Sequence, residues 1–529
     1  MTAVPFPIAG TSNRAASYRA RYLIALAVTT ASVLELIDTS IVNVALPHMM
    51  GNLGATLEEI AWVSTGYIVA NVIVLPLTPW LADRFGRRNY YTGSIILFTI
   101  ASYFCGNATS LEGLVAWRVV QGLGGGALIA TAQAILFDVF PPQERGVAMA
   151  IFGIGVMVGP SVGPTLGGWI TDNYNWPWIF YINLPLGALA AVACWRLVPE
   201  PSHQVTRSTS IDWLGIALLI LGIGCLQILL ERGEAKGWLD APEIRFEIGL
   251  AALGVIGFVW HELTTAHPIV DLRILKNRQL AAAVVFGGAM GAALYASVFA
   301  LPVFLQRVLG YSAWETGKVI LPGAIASAAT MAVMGRVINK IDVRWSIVAG
   351  VGLYFWSMTL HAALTIESGP SDLWWPLIIR GVGLGLIFPP LTQAAVADLM
   401  PVQYGQGTGL YSLARQLGGS LGIAVGASLI SRFSEQAYDG LRTHASPANP
   451  AVAQRIEAVT QRFLGLGNTV DIAHQKAILF LDAAIRRQAA VIAFEKVFFA
   501  MGVAFALALP LLLLFRTGRV RGSGKAGSH

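Results

Sequence analysis

The stretch YLIALAVTTASVLELIDTSIVNVALP, residues 22–47, decides how this chain is read. It is long and apolar enough to cross a bilayer as a helix, for which about 20 residues suffice. Yet it carries two acids, Glu35 and Asp38. A charge at mid-bilayer costs roughly 2.5–3.5 kcal/mol on insertion scales, so such groups face a cavity or a partner and carry function. Residues three apart share a helical face. Two acids on one face of a first span point to a site that takes up and releases protons.

The remainder of the chain is of the same kind. Of its 529 residues, 55% are hydrophobic and 12% charged, about half the charge of a soluble protein. With a mean hydropathy of +0.64, this is a polytopic membrane protein. The pI near 9.2 would suit nucleic acid, but the basic residues are placed as membrane topology demands, and no nucleic-acid partner is expected. Cys105, Cys194 and Cys225 lie in apolar runs and read as small core hydrophobes, with no disulfide framework. No small-residue cleavage site follows the first apolar run, so it reads as a retained span and not a signal peptide.

Fourteen candidate spans fall at 21–46, 58–80, 90–108, 112–137, 144–170, 178–198, 212–231, 245–264, 279–306, 313–338, 344–365, 373–397, 406–431 and 492–515. Alternate connections carry 19 Lys or Arg on one face, including Arg14, Arg19, Arg21, Arg84, Arg87, Arg88, Arg516, Arg519, Arg521 and Lys525, against five near the short opposite loops. Positive charge marks the cytoplasmic side, so both termini are expected there. The external connection 432–491 is long. Its Ser446-Pro447 and Asn449-Pro450 steps break the chain, and the run Ala477 to Ala490 is expected to form amphipathic helices lying over the outer rim.

The chain repeats itself. Gly146, Gly159, Gly163 and Gly167 recur 259 residues later as Gly405, Gly418, Gly422 and Gly426, and Pro142 recurs as Pro401. Arg118 is echoed by Arg380, and Gln133 to Asp138 by Gln393 to Asp398. Two like-oriented halves with a cavity between them describe an alternating-access transporter. The expected fold is all-α: a cytoplasmic tail 1–20, an N-terminal six-helix bundle 21–198, inserted helices seven and eight with their flanking loops 199–277, a C-terminal six-helix bundle 278–515 including the loop 432–491, and a cytoplasmic tail 516–529.

Three motifs carry chemistry. The turn Asp83-Arg84-Phe85-Gly86-Arg87-Arg88 between spans two and three is a charge-rich link that can pair across to the other half and hold a gate shut; topology alone accounts for its arginines but not for Asp83 or Gly86. In span five, Gly155, Gly159-Pro160, Gly163-Pro164 and Gly167 lie one turn apart, a groove for close helix packing in which the prolines permit bending. Arg118 in span four is a buried cation that needs a partner, and Asp38 or Glu35 would supply one; a permanent ion pair is the plainer alternative to a proton-dependent one. Arg380 and Arg415 carry the same ambiguity. Gly317-Lys318 lacks the spacing of a phosphate loop, and His261-Glu262 lacks the second histidine of a zinc protease. The chain therefore does not read as an enzyme, and no cofactor or metal is expected.

These residues resemble the fourteen-span drug:proton antiporters of the major facilitator superfamily, in particular the EmrB branch of the EmrB/QacA type. Ile37 to Pro47, the turn Asp83 to Arg88, Arg118 to Gly122, and Gly155 to Gly168 are similar to that family's motifs in spans one, two to three, four and five. Trp178 to Pro185, Leu230 to Gly233 and His267 to Leu272 resemble stretches of the branch itself. Pro79 departs from the family, standing where the turn motif begins with glycine, and Glu35 lies outside the span-one motif.

The resemblance implies proton-driven export of hydrophobic or amphiphilic compounds across the bacterial inner membrane, with the proton gradient in place of any cofactor. It implies a periplasmic adaptor and an outer-membrane channel as partners, for which 432–491 and the two inserted spans are candidate contacts. It also implies a central cavity lined by spans one, four, nine and twelve. There Asp38, with Glu35 and Arg118, would couple protons, while Asn43, Gln121, Gln133, Tyr295, Phe299, Arg380, Phe388 and Gln393 would bind substrate. Export of one endogenous metabolite, lipid or siderophore is the second reading, and a transport-inactive sensor or scaffold is the third; the retained intramembrane acids argue against the last.

Overall fold

The computed structural model describes residues 18–200, 211–445 and 449–515. The arginines expected in the far tails, together with Arg207 and the Ser446-Pro447 step, lie outside them. The N-terminal half consists of α1 (Tyr18–Leu53), α2 (Trp62–Val74), α3 (Thr78–Phe85), α4 (Arg87–Gly106), α5 (Leu111–Gly125), α6 (Leu128–Val139), α7 (Arg145–Asn173) and α8 (Asn183–Leu197). A hairpin of α9 (Trp213–Arg232) and α10 (Pro242–Thr264) follows. The C-terminal half contains α11 (Arg278–Val303), α12 (Ala313–Val337), α13 (Val343–His361), α14 (Pro370–Val396), α15 (Tyr404–His444), α16 (Pro450–Gly465) and α17 (Val470–Ala506).

Helix occupies every one of the expected spans; several are divided, the second at Leu75–Leu77, the fourth near Gly126, the sixth at Ile182 and the last at Leu507–Ala508. Among the described residues, twelve helical segments are long and apolar enough to cross a membrane. The helices α4 and α13 are not among those twelve, which is where this count departs from the fourteen read from sequence.

The repeat is physical. In the first half, α7 packs on α1 through glycines: a Cβ at Gly155 would strike Val33, at Gly159 Leu36, at Gly163 Ser40 and at Gly167 Ile41. In the second half, α15 packs on α11 in the same way, Gly418 against the backbone of Gly288 and Gly422 against that of Ala292. The helix α7 runs unbroken through Pro160 and Pro164. Both glycine helices also meet the opposite half. Gly146 of α7 abuts Gly335 of α12, and Gly405 and Gly409 of α15 receive the ring of Pro79. The departure at Pro79 is thereby accommodated, because the bulk added at one position faces two residues without side chains.

The inserted hairpin closes on itself where Gly222 meets Gly254 backbone to backbone. It straddles the halves. Gln227 donates to Ser420 Oγ at 2.7 Å and Trp238 Nε1 to Ser428 Oγ at 2.7 Å. On the other side, Arg232 lies 4.6 Å from the ring of Trp62, and Lys236 pairs with Glu58 at 3.1 Å.

The long connection 432–491 differs from expectation. It is helical, but α15 has 41 residues and α17 has 37, lengths of roughly 60 and 55 Å at 1.5 Å per residue. The hydrocarbon core is about 30 Å thick. The run Ala477 to Ala490 is therefore the upstream part of the final spanning helix, continuous with it, and not a separate helix lying flat on the rim. The two extensions hold each other through Tyr438, which donates to Asp482 at 2.5 Å and accepts from Arg486 Nη2 at 3.2 Å. Asn449-Pro450 starts a helix, with the Asn449 side chain accepting from the Ala451 amide at 3.1 Å.

Candidate functional site

Asp38 sits at the middle of α1 and is fully enclosed. Arg118 Nη1 donates to its Oδ2 at 2.5 Å, while Gln121 and Asn183 donate to its Oδ1 at 2.9 and 2.8 Å. Arg118, on α5, also donates through Nε to the Val63 carbonyl at 3.1 Å and through Nη1 to Gln121 Oε1 at 2.8 Å. Its guanidinium stands 4.1 Å from the ring of Tyr67. Asn183 donates on to Ser102 Oγ at 3.0 Å, and Ser102 to the Phe180 carbonyl at 2.9 Å. Helices α5 and α8 thus converge with α1 on one carboxylate, and α2 and α4 brace the donors. All its partners are donors, which satisfies a charge that would otherwise be intolerable at this depth.

This network lies within the N-terminal half. The sequence reading placed Asp38 in the cavity between halves; its hydrogen-bond partners all come from its own bundle, because α5 and α8 present their polar side chains inward toward α1. Asn183 and Tyr67 were missed. Asn183 is a polar residue inside the quoted stretch Trp178 to Pro185, a signal equal to the one that marked Gln121.

Glu35, one turn before Asp38, is placed differently. Asn71 donates to its Oε1 at 2.8 Å, while Oε2 is enclosed with no hydrogen-bond partner among the described residues. The charge of Arg415, from α15 in the other half, reaches this carboxylate. Arg415 is itself buried; Nη1 donates to Tyr295 Oη at 3.3 Å, and its Nε is enclosed without a partner. Glu35 thus feels the charge of a cation in the other half without forming an ion pair with it among the described residues.

The three arginines of the turn between α3 and α4 engage residues of their own half. Arg87 pairs with Asp138 at 2.5 Å, and Arg88 meets Glu200 at 4.0 Å and lies 5.0 Å from the Trp195 ring. Arg84 stands over Trp80 at 5.7 Å. Gly86 takes φ 85°, in the region that favours glycine. Contact with the other half is made by Pro79 on Gly405 and Gly409, and by Arg145, 5.0 Å from the Tyr404 ring. A cleft lined by Pro79, Asp83, Arg87, Asp138, Tyr404 and Gln406 opens between the halves here. Neither buried acid lines it.

The residues expected to bind substrate do not form one surface. Gln121 belongs to the Asp38 network. Gln133 accepts from Ser412 at 3.4 Å, across the seam. Phe388 is buried against Phe152, 6.5 Å between centroids, also across the seam. Asn43 is exposed and accepts from Ser64 at 2.9 Å. Tyr295 and Phe299 are half-buried, Gln393 is buried, and Arg380 is buried within the C-terminal half.

The arrangement has counterparts among known proteins. The family model described as Major Facilitator Superfamily matches residues 28–423. The multidrug export protein EmrB of Escherichia coli K12 is 32% identical over 513 residues, 96% of this chain and 98% of its own. The fatty acid resistance protein FarB of Neisseria gonorrhoeae is 32% identical over 95% of this chain and 97% of its own. Among solved structures, that of the human organic anion transporter MFSD10 (TETRAN) superposes with a TM-score of 0.61 at 14% identity, covering 93% of this chain and 99% of that one. That likeness is one of fold.

Proposed function

This chain belongs to the major facilitator superfamily, in its EmrB-type branch, and on that premise we propose that it is a proton-coupled efflux antiporter for amphiphilic compounds. It is a multi-pass protein of the bacterial inner membrane and a transporter, not an enzyme. Relatives named for multidrug export and for fatty acid resistance support a substrate range defined by amphiphilic character. The fourteen-span arrangement with cytoplasmic termini, and assembly with a periplasmic adaptor and outer-membrane channel, belong to the same proposal. The projecting ends of α15 and α17 are the surface offered to such an adaptor.

The observation that carries the coupling is the contrast between the two acids. Asp38 is fully engaged by three donors. Glu35 has an unmatched oxygen and feels the charge of a cation in the other half. In this reading the Asp38–Arg118 network fixes the N-terminal bundle as a rigid unit, and Glu35 exchanges its proton as the halves rock. An acid that is charged in one state and neutral in the other biases the equilibrium between states. Substrate and proton compete for the space between the bundles.

The test uses proteoliposomes loaded with a fluorescent cationic dye, under an imposed pH gradient. Wild type drives dye uphill, whereas Glu35→Gln retains downhill exchange but loses uphill transport. Uphill transport at wild-type rate in Glu35→Gln would remove Glu35 from proton coupling.

A further inference from the structure

The two halves bury opposite charge. Among the described residues, the buried carboxylates are Glu35, Asp38 and Glu262, and none lies in the C-terminal half. That half buries two arginines, Arg380 and Arg415. Arg415 lies near enough to Glu35 of the other half for the two charges to interact. Arg380 has nothing equivalent. Arg118, the buried arginine of the corresponding helix in the first half, is matched by Asp38 at 2.5 Å; no carboxylate lies within ion-pair distance of Arg380 among the described residues.

The side chain of Arg380 is 8% exposed, and its Nη1 is enclosed with no hydrogen-bond partner among the described residues. Its titratable neighbours are Tyr354 and His361 of α13. Tyr354 gives its hydroxyl hydrogen to the Ala293 carbonyl at 2.7 Å, and His361 can only be neutral or positive. Neither supplies a counter-charge. A buried guanidinium stripped of water with no anion beside it is held at a cost that packing alone does not offset. Such a group is expected where a ligand completes the site.

We propose that Arg380 is the receptor for the acid group of an amphiphilic organic anion, a carboxylate whose hydrocarbon part lies against the apolar interior of the C-terminal half. The guanidinium presents paired donors that match a carboxylate's two oxygens. The C-terminal half thus carries the anion-binding function and the N-terminal half the proton-binding one. This deepens the efflux reading by naming a substrate class, and it rests on that reading only for the direction of transport.

The test is binding, without a gradient, on the purified full chain in detergent. Sodium decanoate, decanol and decyltrimethylammonium share one chain length and differ in head group, and each is titrated while tryptophan fluorescence and thermal stability are followed. Wild type binds decanoate about tenfold or more tighter than decanol, the gain expected of a charge-assisted hydrogen bond. Arg380→Gln erases that preference and leaves decyltrimethylammonium binding unchanged, while Arg380→Lys keeps part of the preference. Without ligand, Arg380→Gln also melts at or above the wild-type temperature, because an unmatched buried charge has been removed; an arginine needed for structure would lower it. Equal binding of decanoate and decanol by wild type, or an unchanged preference in Arg380→Gln, overturns the proposal. If Arg380→Gln cannot be purified, the wild-type comparison and Arg380→Lys decide it. Failure here with intact gradient-driven dye transport would leave the efflux reading standing.

Discussion

Cutting the Asp38–Arg118 pair should show how much of the N-terminal bundle depends on it. In Asp38→Asn, an amide takes the carboxylate's place and turns one of its own donors toward donors. Arg118 then keeps the Val63 carbonyl at 3.1 Å, Gln121 Oε1 at 2.8 Å and the Tyr67 ring at 4.1 Å. Breaking a buried pair by removing one partner costs about 3–5 kcal/mol. The surviving carbonyls and a desolvated cation–π contact, worth up to about 2 kcal/mol, place this case near 3 kcal/mol. Arg118→Gln leaves Asp38 with two amide donors, from Gln121 and Asn183, and should cost a similar amount.

The double variant removes both charges together and should cost well below the sum, with a coupling of about 2 kcal/mol, inside the range seen for contacting residues. The assay is denaturation in mixed micelles by increasing SDS, read by tryptophan fluorescence for wild type, both single variants and the double. A coupling under about 0.5 kcal/mol, the level at which independent sites add, would refute the claim that these two side chains act as one unit.

Two further outcomes follow from packing. A Cβ at Gly163 would overlap Ser40 Oγ, which is tethered to the Leu36 and Ile37 carbonyls at 2.9 and 3.1 Å; Gly163→Ala should cost about 1–3 kcal/mol by overpacking, and adding Ser40→Ala should recover most of it in the same SDS titration. Gly86 takes φ 85°, and a Cβ there would lie 3.1 Å from Glu200 Oε1; Gly86→Ala should therefore lose about 1–3 kcal/mol in that titration, and a loss below experimental error would show that the turn relaxes out of this conformation.

Much of this molecule is legible without coordinates. Spans are legible because an apolar run of bilayer length has few stable alternatives to a helix. The repeat is legible because glycines that let backbones touch must keep their spacing, and Gly159 and Gly163 keep the interval of Gly418 and Gly422. Arg118 is recognisable as needing a counter-charge, since a cation at that depth is costly until an acid or a ligand meets it. The continuity of Ala477 to Ala490 with the last helix is not legible, because amphipathic periodicity is the same for a separate surface helix and for the extension of a longer one.

What the chain by itself determined is therefore its class, its duplicated plan and the cost of its intramembrane charges, all properties of local composition and spacing. Which acid meets which cation was decided only by tertiary structure. Glu35 and Asp38 are three residues apart, yet Asp38 closes a network inside its own bundle and Glu35 feels the charge of Arg415 in the other half. Sharing a helical face sets only the general direction of a side chain. The partner it finds depends on how α5, α8 and α15 are rotated and packed around it, and that rotation is fixed by contacts hundreds of residues away in the chain.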